Sequence, residues 1–253
     1  MNNQITQRVQ NHYNSIYPKC DFYDSCKGKT INFPDNPKMS YIGRDYGNNP
    51  NIPNVLFLSL DSGETQPKYS TIDEIRYNTE IETNFNNTTG KNKGKHWFQT
   101  FNMAMELLKP FVDVNRENDV KPYIVHANSA KCNQGKEKRR QADDVLFSNC
   151  IGFVQDEIPL YEPNLVVSQG KRAEYVLDKF PINETITIGC EYKGKNKRMN
   201  LFIRSINGKD ILHIPMYHPS YYGGYWWKRS CIIDNIPIIT EKLNNILIEN
   251  RTD

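Results

Sequence analysis

The chain has 253 residues, 38% of them hydrophobic, enough to close one large core or two small ones. No stretch of about eighteen apolar residues occurs, so no membrane span is expected. The opening "MNNQITQRVQNHYNSIYP" lacks the apolar centre of a signal peptide, which predicts a cytoplasmic protein. A net charge of +3 points to no partner by itself, although Lys and Arg gather in two polar loops, Thr88–Trp97 and Gln134–Gln141.

Taken in chain order, residues 3–15 read as a short helix, and residues 16–54, rich in Pro, Asn, Gly and Tyr, as irregular structure. The apolar run Asn54–Leu60 predicts a strand buried on both faces. Residues 65–96 read as loop with a short helix near Ile72–Tyr77. Trp97–Phe111 has helical periodicity, with Phe101, Met105 and Leu108 on one face and Pro110 at its end. Lys121–Asn128 is a second buried strand, Asp143–Glu157 a helix, and Asn164–Gly170 a third strand turning at a glycine into the helix "KRAEYVLDKF". The alternating segments "TITIGC" and "MNLFIRSI" flank the turn-forming "YKGKNK" and predict an antiparallel hairpin. "DILHIPMYH" is a further strand, "YYGGYWWKR" a tight glycine loop, and residues 235–249 a final helix.

Strands separated by helices imply a three-layer α/β/α fold. Its central, mainly parallel sheet has about four strands, with the hairpin added to it. The whole chain, 1–253, reads as a single domain and a monomer. Ligands of such sheets bind outside the carboxyl ends of the strands. Asp61, Asn128 and His218 each stand at such an end, so three polar residues distant in sequence are delivered to one rim. Taken singly, each also suits ordinary capping or strand-end chemistry.

Six cysteines in a cytosolic chain argue against a disulfide scaffold and for metal or cluster ligation. Cys190 and Cys231 are expected to be unpaired, partly buried thiols.

Four blocks in order carry a resemblance: "VLFLSLDSGE", "HANSAKC", "NCIGFVQDEIPLYEPNLVVSQGKRAEYVL" and "HPS". Together they resemble the uracil-DNA glycosylase superfamily over most of residues 50–240, in particular its iron–sulfur-containing bacterial and archaeal branch. The first block departs from that branch's Gly-Glu-x-Pro-Gly. Here the run is Ser59-Leu60-Asp61-Ser62-Gly63, with Leu60 at the glutamate position and the acid one place later, where the uracil-excising enzymes carry aspartate. Cys20 and Cys26 are further apart than the family's first pair, and the hairpin near 185–206 looks inserted.

The resemblance implies a DNA glycosylase that flips a base out of DNA and hydrolyses its N-glycosidic bond, as a monofunctional enzyme. The transition state has a cationic sugar and an anionic leaving base. Asp61 is expected to serve the sugar side and His218 to donate to the base oxygen. The resemblance assigns Asn128 to the pyrimidine edge, and Trp97 or Phe98 to stacking on the extruded base. It also assigns Cys20, Cys26, Cys132 and Cys150 to a [4Fe–4S] cluster that ties residues 1–54 to the sheet; four cysteines suit zinc as well. Lys136, Lys138, Arg139 and Arg140, with Lys228 and Arg229, are expected to bind phosphates, and Tyr221 or Tyr222 to wedge into the duplex.

Gly63 stands where the uracil-excising enzymes place a tyrosine that blocks groups at pyrimidine C5. Two substrates follow: uracil, for repair, or a C5-modified pyrimidine such as a hydroxymethylcytosine derivative, for defence against phage. A reading from another class is a catalytically silent iron–sulfur relative that binds nucleic acid, which Leu60 favours and the Asp61, Asn128 and His218 set opposes.

Overall fold

The structure, a computed structural model, describes residues 3–15, 20–27, 38–61, 71–82, 96–132 and 144–252. The helices are α1 (Asn3–Asn14), α2 (Tyr23–Lys27), α3 (Ile72–Glu82), α4 (His96–Leu108), α5 (Asp144–Glu157), α6 (Lys171–Val176), α7 (Tyr222–Asp234) and α8 (Ile236–Thr252). The strands are β1 (Tyr41–Ile42), β2 (Val55–Asp61), β3 (Ile124–Ala130), β4 (Leu165–Gln169), β5 (Ile182–Tyr192), β6 (Lys195–Ile206) and β7 (Lys209–Met216).

All seven strands form one sheet in the order β1-β3-β2-β4-β7-β6-β5. The four predicted parallel strands are its centre: β3, β2, β4 and β7 run side by side in one direction. "About four strands" nonetheless understates the sheet. The hairpin β5–β6 continues it, because β6 pairs antiparallel with β7, and the two-residue β1 caps the other edge against β3. The apolar runs explain the centre. Val55–Leu58 and every residue of β3 and β4 are buried, as strands covered on both faces require.

Side-chain alternation assigns the layers. Ser59 reaches His96 at the start of α4. Its neighbour Leu60 joins Leu146 and Phe147 of α5, and lies against Gly170, just ahead of α6. Helix α4 therefore covers one face of β2, and α5 and α6 the other. A Cβ on Gly170 would stand 2.9 Å from Leu60 Cδ2, and the residue has φ +110°, so only glycine fits this close turn.

The N-terminal segment is pinned by buried charge. Glu157, at the end of α5, takes hydrogen bonds from Tyr13 of α1, Ser40, Tyr161 and the Lys131 ammonium. Burial alone would raise the Glu157 carboxyl, but Lys131 and the tyrosine donors outweigh it and hold its pKa below the ordinary value.

Two expectations are corrected. Residues 222–234 form helix α7, not a tight loop. One of its glycines serves packing: a Cβ on Gly224 would stand 2.4 Å from the Tyr217 ring. Tyr225 donates to the Gln99 carbonyl and fastens α7 to α4. Cys190 and Cys231, expected as unpaired thiols, form a disulfide. Packing of α7 on the hairpin brings their Cα atoms within 4.8 Å across 41 residues of sequence. Among the described residues no helix is long and apolar enough to cross a membrane.

Candidate active site

The carboxyl rim of the parallel strands gathers the polar residues. Ser59 of β2 lies in register with Asn128 of β3, and Asp61 with Ala130. Gln169 of β4 lies level with Met216, the last residue of β7, and His218 follows two residues later. Asp61 and Asn128, from adjacent strands, and His218, beyond the end of β7 on the far side of β4, thus come to one edge. Asn128 is buried, with 3% of its surface exposed. The side chain of Asp61 lies outside the described set, as do Gly63, Lys136, Lys138, Arg139, Arg140 and the Tyr222 side chain.

His218 is held in a defined state. The backbone N–H of Ser220 donates to its Nδ1 (3.3 Å), and the Ser220 hydroxyl lies 2.6 Å from the same atom. Because Nδ1 accepts, the ring proton sits on Nε2, which becomes the donor. Burial lowers the His218 pKa to about 4, so the ring is neutral at pH 7.

Beneath it lies a polar cluster that the sequence reading did not include. Ser59 Oγ donates to Gln169 Oε1 (2.5 Å) and stands 2.9 Å from His126 Nε2 and 3.2 Å from His96 Nε2. Gln169 in turn donates to Thr100 Oγ1 of α4 (3.0 Å). The two imidazole nitrogens are 3.0 Å apart. Since the one hydroxyl proton goes to Gln169, Ser59 Oγ can only accept from the rings. Burial pushes His126 down to about 3, reinforced by nearby Lys38 and His218. Burial, with the neighbouring His126 and His218, also holds His96 well below the ordinary histidine value. Nδ1 of His96 is sealed from solvent with no hydrogen-bond partner among the described residues. The signal for these residues was their spacing: Ser59 and His126 stand two places before Asp61 and Asn128, on the same strand faces.

The predicted stacking rings sit at the start of α4. Phe98 is buried. The Trp97 ring is half-buried and lies 4.2 Å from the His126 ring and 5.3 Å from Phe101.

Cys20, Cys26, Cys132 and Cys150 are free thiols drawn from α2, its preceding turn, the end of β3 and α5. Burial raises the Cys132 and Cys150 pKa values, the latter to about 11, and the other thiols of the set push both further up. Backbone N–H groups of Phe22 and Lys131 donate to the Cys20 and Cys150 sulfurs, and Asn149 Nδ2 donates to Cys26. Among the described residues no three His, Cys, Asp or Glu side chains form a group able to hold a single metal ion.

The predicted phosphate contacts on α7 are engaged internally. Lys228 donates to the Pro215 carbonyl (2.6 Å) and lies over the Tyr217 ring, and burial lowers its pKa. Arg229 donates to Asn102 and lies 3.6 Å from Glu106. Tyr221 is exposed and packs against Tyr217.

A search of curated proteins finds no match to the chain. A family model described as the uracil DNA glycosylase superfamily matches residues 89–236, a span that holds His96, Asn128, Cys132, Cys150 and His218. That match covers more than half of the sequence, and with the rim geometry it gives the conclusion that the chain belongs to the uracil-DNA glycosylase superfamily.

Proposed function

We propose that the protein is a monofunctional DNA glycosylase that extrudes a base and hydrolyses its N-glycosidic bond, leaving an abasic site. The observation that carries this reading is His218: a neutral, half-buried imidazole at the strand rim, fixed by Ser220 as an Nε2–H donor. Such a donor stabilises negative charge as it develops on the leaving base, and it does so without reorganisation. Asn128 lies on the same rim and offers both a donor and an acceptor to the base edge. Asp61 supplies the anion that stabilises the cationic sugar and orients the attacking water. A ring of the Trp97–Phe98 pair stacks on the extruded base.

The substrate we propose is a pyrimidine with a C5 substituent, of the hydroxymethylcytosine kind, with uracil as the second candidate. Gly63, in place of a blocking tyrosine, supports this choice. A C5-modified substrate makes the enzyme one of defence, uracil one of repair.

The four free cysteines fit a [4Fe–4S] cluster. Burial raises the pKa of Cys20, Cys132 and Cys150, the charges of the set act on one another, and backbone N–H groups already point at two of the sulfurs. The bound cluster would supply a structural tie between the N-terminal segment, β3 and α5. The protein's own residues perform the proposed hydrolysis.

The direct test is release of free base from DNA by the wild-type protein and by His218→Ala. Binding without release from any modified DNA would favour a silent relative, the reading that Leu60 suggests.

A further inference from the structure

The β5–β6 hairpin is longer than its neighbours need. Strand β6 pairs with β7 from Ile206↔Lys209 to Phe202↔His213. Continued, that register sets Met199 level with Met216, where β7 ends. Residues 195–198 of β6, and 189–192 of β5 opposite them, therefore pass the rim by about four residues, or roughly 13 Å. They rise on the side where the chain continues into His218.

The overhang is basic. Residues 191–198 hold Lys193, Lys195, Lys197 and Arg198 against the single Glu191. Glu191 pairs across the ladder with Asn196, Lys197 with Cys190 and Arg198 with Gly189, so no cation faces a carboxylate. Among the described residues none of the four forms a salt bridge, and Lys193, Lys195 and Arg198 are exposed. Like charges held this close repel one another unless an anion shares the site.

The tip is also rigid. Lys193 and Gly194 both have positive φ, at 51° and 69°, between the paired Tyr192 and Lys195. That is a two-residue hairpin turn of the tightest kind. The arm is fastened to α7 by the Cys190–Cys231 disulfide and by Asn235 Nδ2 donating to the Gly189 carbonyl. Lys197 lies over the Trp227 ring at 5.9 Å. Helix α7 begins four residues after His218, so the arm keeps a fixed place relative to the candidate site.

We propose that this arm, through Lys193, Lys195, Lys197 and Arg198, is a DNA-backbone clamp that grips duplex phosphates beside the base held at His218. The proposal builds on the glycosylase reading for its partner, but its contacts are to phosphate and read no sequence. It also supplies cations without a carboxylate partner among the described residues, where Lys228 and Arg229 are engaged internally.

The test uses full-length protein and an unmodified fluorescein-labelled duplex, with affinity read by anisotropy between 50 and 200 mM salt. The variant K193Q/K195Q/K197Q/R198Q is compared with K179Q/K209Q, which removes cations away from the rim, after circular dichroism has shown both to be folded. The clamp predicts at least a tenfold loss of affinity at 50 mM salt. It also predicts a log–log salt slope flatter by about three, while the control keeps the wild-type slope. An unchanged slope, or the same loss per charge in the control, overturns the clamp. The two readings fail separately. Base release with an unchanged slope removes the clamp alone, whereas a flattened slope with no base released from any DNA removes the glycosylase reading and leaves the clamp.

Discussion

The imidazole of His218 lies parallel to that of His96, with ring centroids 4.9 Å apart and planes at 14°. Two half-buried rings at that distance disfavour charge on each other, and His126 adjoins the pair through its contact with His96. Crowding and burial together keep the cluster neutral, which suits a site whose task is to donate a hydrogen bond rather than a proton. The tautomer can be read directly. Long-range proton–nitrogen spectra at pH 7 should show His218 protonated on Nε2 and bare on Nδ1, with a titration midpoint near 4. A midpoint near 6.5 would mean that the ring is solvated and free.

The same shifts link stability to acid. His218 and His126 take up protons at about 4 and about 3 in the folded chain, and His96 and the buried His213 well below their ordinary value. The unfolded chain takes them up near 6.5, so between that pH and about 4 it binds more protons and folding stability must fall as pH falls. Each such histidine contributes up to about 1.4 kcal/mol per pH unit in that window. Urea unfolding at pH 7.5, 6.0 and 5.0 should show a steady decline; equal stabilities would contradict the buried neutral cluster.

Ser59 is the hub of that cluster, giving its one proton to Gln169 and accepting from the rings. Ser59→Ala leaves buried donors and an acceptor unmatched, which costs about 1–3 kcal/mol. A denaturant midpoint equal to wild type would show that the hub is not formed.

The cysteines divide into two sets. Anaerobically purified wild type should be brown, with about four irons per chain. Cys132→Ala should lose the iron and most soluble protein. Cys231→Ala should keep the iron and lose about 2–4 kcal/mol under oxidising conditions, the usual effect of opening a loop of this size. Stoichiometric zinc without sulfide would reject the cluster.

Much of this architecture was legible because its signals are local. The runs at 54–60 and 164–170 are strands because a buried parallel centre demands unbroken apolar residues; in the run at 121–128 the strand starts only at Ile124, after a 3-10 turn over Glu117–Tyr123, and continues to Ala130. Each strand ends on the rim that gathers Asp61, Asn128 and His218. What stayed hidden depends on partners remote in sequence. The two residues of β1 are a strand only because β3 lies beside them. Helix α7 begins at a glycine pair that reads as a loop until Tyr217 is seen packed against Gly224. Ser59 and His126 lie inside apolar runs, and His96 at the edge of a polar stretch, so beyond the two-place spacing from Asp61 and Asn128 nothing local joins them into one cluster. The Cys190–Cys231 pair is invisible for the same reason.

The central claim is base excision, and the most direct measurement is release of free base from DNAs carrying uracil, hypoxanthine, 5-hydroxymethylcytosine or its glucosylated form. Wild type should free one of these bases and leave the backbone intact until alkali is added, because among the described residues no lysine is placed as a Schiff-base nucleophile. His218→Ala should slow release by about 100-fold or more, the scale of losing one oxyanion donor. Asp61→Asn should slow it with DNA affinity largely kept, since the anion acts on the transition state. Asn128→Ala should chiefly change which base is accepted. Release from none of the four DNAs while binding persists would contradict the account, and so would activity that survives both Asp61→Asn and His218→Ala.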